Sequence, residues 1–461
     1  MLKTKTLAFL FSALLLSPLL GKAESTNITE IFNQLKKRAT QQSYEIQMAQ
    51  EQLNQSSSKV YTNWTHWIPH LDFQMAQTRS KDYSFLSSGA LGNLPFNFTP
   101  EAVSVSRWEL DLTAPLFRRS VLLGIETSNA ENDLNQTKLN SKIAELDWRM
   151  HSHLGNFLFQ FYKELTLKTS FEIATQNLKE AQLRFNLGQK TKVDVLRAEA
   201  NLTSIQAKRY SIQQDKENSL NQFLEYTGLT PSEFSSVGIE KLTTDEAKTQ
   251  EIIDQFSDIS AYYSQIKDIS GQKLDEQVSS SSPTYKTLMS ESEMNDLQSQ
   301  SLMSQEWPEL VFKGTINQQG NNWSEAFSAN RTSYSASIAL SIPLFSGGSL
   351  LSTYHEKFHA QKANQIKHEK DILNFLNQVK MEKVQIQTLL STLESQKLIL
   401  SQNEEILRLS FKSYQLGKAT TLELLNSQDA LIDAKLNLAK TKLDLAALTR
   451  QFAYHLGVTA P

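Results

Sequence analysis

Apolar and polar residues alternate with period two in four separate stretches of the chain, 69–75, 103–112, 308–316 and 334–342. That period puts successive side chains on opposite faces of a β-strand, so strands are expected near 69–79, 103–116, 308–318 and 333–344. In the second of them Trp108, Leu110 and Leu112 share one face, while Arg107, Glu109 and Asp111 share the other. One side of such a strand suits lipid and the other suits water. Each pair of strands closes alike, on Leu112-Thr-Ala-Pro-Leu-Phe117 and on Leu340-Ser-Ile-Pro-Leu-Phe345.

Beyond each pair the texture changes. Proline is absent from 116 to 230 and from 344 to 460, and both runs are rich in Leu, Ala, Glu, Lys and Gln. A proline costs about 3 kcal/mol in a helix interior, so these runs read as helices. The stretch from Phe117 to Gly188 would span about 100 Å at roughly 1.5 Å per residue, longer than an ordinary globular core. In the helix expected after 420, Leu424, Leu431, Leu438 and Leu445 recur every seven residues beside Leu425, Ile432, Ala439 and Ala446. Two adjacent apolar stripes allow contact with neighbours on both sides, where a two-stranded coiled coil needs one stripe.

Both long runs are interrupted by the same turn. Phe185-Asn-Leu-Gly-Gln-Lys-Thr-Lys-Val-Asp-Val-Leu196 returns as Tyr414-Gln-Leu-Gly-Lys-Ala-Thr-Thr-Leu-Glu-Leu-Leu425, 229 residues later. Gly188 and Gly417 stand where a helix ends in a left-handed residue. Thr191 and Thr420 are placed to cap the next helix, with Asp194 and Glu423 as the reciprocal halves of capping boxes. Each copy therefore reads as the tip of an αα-hairpin. The order helix, strand, strand, long helix, tip, shorter helix occurs twice, over 24–228 and 283–461. Residues 229–282 are polar, lack a sustained stripe and read as a connector.

Residues 1–23 read as a secretory signal: Lys3 and Lys5, an apolar run from Leu7 to Leu20, and a small-residue cleavage site at Gly21-Lys-Ala23. No later run approaches the roughly 18 apolar residues of a spanning helix. An exported chain of this kind is either soluble or inserted as β-strands. Of the six tryptophans only Trp148 lies far from the strands; Trp67, Trp108, Trp307 and Trp323 are candidate membrane-interface aromatics. Four strands leave open edges that hydrocarbon does not tolerate, so a barrel would be shared between copies. Periodicity leaves open whether two copies or three complete it.

The 461-residue chain has 39% apolar residues and a net charge of −3, which gives no footprint for nucleic acid. The absence of cysteine removes disulfides, thiol catalysis and cysteine-bound metals. His355-Glu-Lys-Phe-His359 fits the H-E-x-x-H pattern of zinc metalloproteases, with Glu356 in the place of the general base. No third ligand stands at a motif-defined spacing. His151 and His153 lie two apart, on different helix faces. No phosphate-binding glycine loop or nucleophile motif is present, so no catalysis and no cofactor are expected.

The signal-like start, the doubled helix-strand-strand-helix pattern, the two Leu-Gly tips and the glycines Gly228 and Gly457 together resemble the TolC-like outer-membrane efflux proteins. The resemblance covers nearly all of the chain after residue 23. It implies a homotrimer in the outer membrane of a Gram-negative bacterium, with a twelve-stranded β-barrel continued by a twelve-helix tunnel across the periplasm. The duct would serve a tripartite efflux pump or a type I secretion system, linked by a periplasmic adaptor (a membrane fusion protein) to an inner-membrane transporter of RND, ABC or MFS type.

By the same resemblance Leu187, Gly188, Lys190 and Thr191 with Leu416, Gly417, Lys418 and Thr420 are candidate adaptor-docking residues. Asp194, Glu423 and Asn426 are candidate entrance-gate residues. Where the family's best-known member has two acids three apart, this chain has Glu423 and Asn426, so the second acid is missing. The rival readings are a secreted coiled-coil adhesin or structural protein and, more remotely, a zinc metalloprotease through His355, Glu356 and His359.

Overall fold

The computed structural model describes residues 28–80, 103–238, 245–267, 269, 271–304, 307–328, 332–345 and 347–458. The expected signal, residues 1–23, and residues 81–102, between the first two expected strands, lie outside them. In chain order the elements are α1 (Ile28–Gln42), α2 (Tyr44–Thr65), β1 (His70–Ser80), β2 (Val103–Arg118), α3 (Arg119–Asn186), α4 (Lys192–Thr227), α5 (Pro231–Ser236), α6 (Glu246–Phe256), α7 (Ser260–Ile266), α8 (Gln272–Ser281), α9 (Pro283–Met303), β3 (Glu309–Gly320), α10 (Trp323–Ala326), β4 (Thr332–Ser341), α11 (Ser349–Gln415) and α12 (Thr421–His455).

The two proline-free runs form helix pairs of nearly equal length. α3 has 68 residues and α4 has 36, against 67 for α11 and 35 for α12. Helices this long hold through lateral packing, since propensity alone supplies little per residue. Near the sheet the packing order is α2, α3, α9, α11, and toward the tips it is α4, α3, α12, α11. Lys59 pairs with Glu131 and Lys142 with Glu45 along the α2–α3 seam. On the α3–α4 seam, Leu167 and Ala174 bury against Ile205 and Ile212.

The sheet is antiparallel, in the order β1-β2-β3-β4. Its register sorts the side chains by polarity. Leu71, Leu112, Gly314 and Ala336 form one row, and Phe73, Leu110, Ile316 and Tyr334 the row two positions on. The alternate rows are Asp72, Asp111, Thr315 and Ser335, then Gln74, Glu109, Asn317 and Ser333. Cross-strand partners point to the same side, so one face is apolar and the other polar.

The strand ends differ from the expected symmetry. β2 runs through Pro115 to Arg118, with a register shift between Pro115 and Phe117. Its end is held by β3, where Phe117 meets Leu310 and Arg118 forms an ion pair with Glu309 at 2.9 Å. β4 stops at Ser341, opposite Glu309, the first residue of β3. Ile342 to Phe345 then have no strand to pair with, and Leu344 and Phe345 stand exposed.

Within 229–282, read as a connector, the described residues form the short helices α5 to α8. Segments of this length show too few turns for a repeating stripe, yet they bury Phe234, Ile252, Ile253, Phe256, Leu274 and Val278. Phe256 lies flat on His151, with ring centroids 4.0 Å apart, and Phe32 meets both edge-on. Burial holds His151 well below the usual histidine range, and the Arg450 charge acts the same way.

The junctions between short and long helices repeat as well. Gly228 has φ +71° and ends α4 directly over the α1–α2 link: a Cβ there would stand 2.3 Å from the Gln42 carbonyl oxygen. Gly457, φ +69°, does the same over the α8–α9 link, 2.2 Å from the Ser281 carbonyl oxygen. Only glycine fits both the conformation and the approach.

Candidate functional site

The molecule offers two candidate working regions, the paired turns between the long helices and the two-faced sheet. Each turn is built by its own backbone. Gly188 N–H donates to the Phe185 carbonyl at 2.9 Å and Gln189 N–H to the Arg184 carbonyl at 2.8 Å. In the second turn Gly417 donates to Tyr414 at 3.0 Å and Lys418 to Ser413 at 2.8 Å. This is the Schellman pattern, closed by a left-handed glycine, with φ +71° at both Gly188 and Gly417.

The next helices start in capping boxes. Asp194 N–H donates to Thr191 Oγ1 at 3.4 Å while Thr191 N–H donates to the Asp194 carboxylate at 3.1 Å. Glu423 and Thr420 exchange the same bonds at 3.2 and 2.8 Å. Desolvation acts to raise the Asp194 carboxyl, but the bonds from Thr191 and the Lys190 charge outweigh it and leave it below the usual range. Of the three candidate gate residues, Asp194 and Glu423 are thus tied into caps, and Asn426 is exposed one turn further along α12.

The two turns touch each other. Tyr414 is buried, with the Arg184 guanidinium 5.2 Å and the Lys190 ammonium 4.7 Å from its ring centre, a cation–π arrangement. Leu187 and Leu416 project into solvent, 63% and 65% exposed. Thr191, Lys418 and Thr420 are also exposed. The sequence reading passed over Tyr414, although an aromatic residue at the same place in both turns, Phe185 and Tyr414, was visible.

On the sheet, the apolar face is bare. Phe73 is 57% and Ile338 65% exposed, with Leu71, Met75, Tyr334 and Leu340 alongside. The polar face carries a hollow of about 550 Å³ lined by Arg107, Asn317, Gln319 and Ser333. The four tryptophans divide between the sheet's ends. Trp67 and Trp307 lie where helices enter, with Arg119 above the Trp307 ring at 5.9 Å. Trp108 and Trp323 lie toward the far end, both against Phe327. The Trp108 indole N–H donates to the Gln318 side chain at 3.1 Å and to the Ala326 carbonyl at 2.8 Å, fastening α10 to the sheet.

His355, Glu356 and His359 sit exposed on the first turns of α11, and the Glu356 carboxylate lies 2.8 Å from the Lys357 ammonium. Among the described residues no group of three His, Asp or Glu stands together as metal ligands. Among the described residues no helix is long and apolar enough to cross a membrane.

Residues 298–457, which hold β3, β4, α11 and α12, match the family described as outer membrane efflux protein. The match covers the second half of the chain only. The chain shares 27% identity over 124 residues with the alkaline protease secretion protein AprF of Pseudomonas aeruginosa, a match covering 27% of this chain and only 26% of AprF. It resembles the Campylobacter jejuni CmeC outer membrane channel with a TM-score of 0.74, over 93% of this chain and 86% of that one, at 11% identity. It also resembles the outer membrane protein VceC of Vibrio cholerae, at TM-score 0.70, 92% and 96% coverage and 14% identity. The chain thus has the fold seen in these outer-membrane proteins, long helices joined to a β-sheet.

Proposed function

We propose that this chain is the exit duct of an efflux pump or type I secretion system, seated in the outer membrane of a Gram-negative bacterium and reaching into the periplasm. The observation that carries the reading is the two-faced sheet at one end of helices about 100 Å long, apolar toward one side and polar toward the other. Strands of about ten residues match the thickness of a bilayer, and such a sheet suits lipid outside and water inside.

Closure between copies follows from the sheet's open edges on β1 and β4. Three copies would supply twelve strands and twelve long helices, each chain contributing two structural repeats, 24–228 and 283–461, about the segment 229–282. Leu187, Gly188, Lys190, Thr191, Leu416, Gly417, Lys418 and Thr420 would meet a periplasmic adaptor, which links the duct to an inner-membrane transporter of RND, ABC or MFS type. Glu423, Asn426 and Asp194 would line the entrance, and Trp67, Trp108, Trp307 and Trp323 the two membrane interfaces. Conduction would be passive.

Cell fractionation tests the reading. A heat-sensitive oligomer in the outer membrane is expected, and a soluble monomer in the periplasm or medium would refute it. For the entrance, cation block of single-channel conductance is expected to weaken in Glu423→Gln; unchanged block would remove Glu423 from the gate.

A further inference from the structure

One flank of α11 is bare. Met381, Val384, Ile399 and Ile406 stand exposed along it, and beside them Lys370 is exposed, with no ion pair to another described residue. The chain itself shows what such a flank packs against, because α3 and α4 recur 229 residues later as α11 and α12. Leu146, Phe157 and Phe223 are buried just as Phe375, Ile386 and Phe452 are. Likewise α2 and α9 correspond through Gln42 and Ser281, on which Gly228 and Gly457 close.

On α3 the matching flank is covered by α12 and α9. The Tyr454 hydroxyl stands 2.7 Å from Ser141 Oγ and accepts from Thr284 Oγ1 at 3.3 Å, which ties the three helices at one point. The counterparts of α12 and α9 are α4 and α2, at the far end of the packing order from α11. They too keep a bare flank, with Leu196 and Tyr210 of α4 and Met48 of α2 exposed.

At the point that corresponds to this hydroxyl hub the residues are charged. Lys370 stands in the place of Ser141, Glu225 in that of Tyr454 and Glu45 in that of Thr284. Glu225 is exposed and has no ion pair among the described residues. Glu45 pairs with Lys142 at 3.0 Å, and Lys142 also reaches Glu145, which Arg149 shares. With Glu225 the group holds three carboxylates, Glu45, Glu145 and Glu225, against two cations, Lys142 and Arg149. Burial and the Glu145 and Glu45 charges push the Tyr226 hydroxyl up, so their field reaches the last turn of α4.

We infer that two copies meet with α11 of one laid on α4 and α2 of the next, and that Lys370 enters between Glu225 of the partner subunit and Glu45 of the partner subunit as the cation that balances the cluster. The inference rests on the shared-barrel reading above and specifies the seam: which helices meet, in what register and by what charge. A neutral hub inside the chain becomes an ionic one between chains. Shape agrees with charge. Ser170 of α3 and Ile432 of α12 line one cavity; their counterparts are Ile399 and Thr203, and Thr203 lines an open hollow of about 600 Å³ on α4, which Ile399 of the next copy enters. A lone cation set against an excess of carboxylate fixes register by complementarity, and the effect weakens with salt.

The test uses the full-length protein in detergent, where the absence of cysteine leaves every introduced thiol unique. Lys370→Cys/Glu225→Cys is expected to give covalent dimers and trimers on denaturing gels with a short bismaleimide, since pairs of long charged side chains stand beyond disulfide reach. Asp371→Cys/Glu225→Cys, turned by about 100° round α11, should crosslink roughly tenfold less. Lys370→Glu should lower the temperature at which the oligomer dissociates by roughly 5 °C, less so in about 0.5 M salt, and Lys370→Glu/Glu225→Lys should restore it. An oligomer that persists without the crosslink, and is indifferent to Lys370→Glu, would overturn the inference and leave the shared barrel standing. A loss in Lys370→Glu that Glu225→Lys does not repair would overturn the pairing in the same way. Failure of the unaltered protein to form any oligomer would overturn both.

Discussion

Four glycines share one backbone conformation in two surroundings, which allows the cost of conformation to be separated from the cost of contact. Gly188 and Gly417 lie at φ +71° in open space, whereas Gly228 and Gly457 lie at φ +71° and +69° against the Gln42 and Ser281 carbonyls. An alanine in the left-handed region costs about 1–2 kcal/mol, and this is the whole penalty expected for Gly188→Ala or Gly417→Ala. At Gly228 and Gly457 the new methyl would stand 2.3 and 2.2 Å from a carbonyl oxygen, about 1 Å inside ordinary contact. Relief requires moving the α1–α2 or α8–α9 link, at a further cost of about 1–3 kcal/mol. Purified in one detergent, the junction variants should lose about 2 kcal/mol more than the tip variants in urea unfolding followed by circular dichroism. Equal losses for all four would refute the claim that the links are held by close approach.

Three further outcomes follow from the same structure. Thr191→Ala and Thr420→Ala should each cost about 1 kcal/mol by removing a cap, measured as faster amide exchange at the starts of α4 and α12. Lys435 and Lys442 on α12 pair with Glu246 and Asp254 of α6 at 2.8 and 2.5 Å; Lys435→Glu/Lys442→Glu should loosen α6 and speed proteolysis within 246–256 a few-fold, as expected for partly exposed pairs, and an unchanged cleavage rate would discount the ion ladder. Hydrogen bonds from the Gln42 side chain and from Thr230 hold Glu233 down at about 2, from an ordinary 4.5. A depressed carboxyl stabilises fully above its unfolded value and loses that contribution as pH falls through the folded one. Amide protection of α5 should therefore decline between pH 4.5 and about 2, and Glu233→Gln should flatten that decline.

What was legible in the sequence was what is encoded locally. Strand faces follow from period-two alternation, and the tips from glycine and capping chemistry within ten residues. Both are set by neighbours in the chain, so Thr191, Asp194, Thr420 and Glu423 form the caps their spacing implies. The short helices α5 to α8 were not legible, because Phe234, Ile253 and Phe256 acquire their partners from elements outside the segment, among them α1, α3 and α4. The contact between the two tips is equally non-local: Tyr414 is buried by side chains some 230 residues away. Lys435, Lys442 and Arg450 gave a fainter signal, basic residues at near-heptad spacing beside an apolar stripe, whose meaning depended on where α6 and α7 lie.

Strands β1 and β4 each have one neighbour, so each presents a row of unpaired backbone groups. Water satisfies those groups; hydrocarbon does not, at several kcal/mol for each. On the proposal that copies share one barrel, entry into a bilayer and meeting of copies would be a single kinetic event. Its rate would rise faster than in proportion to the number of chains waiting outside the membrane, which would make maturation sensitive to expression level in a way that a barrel closed by one chain is not.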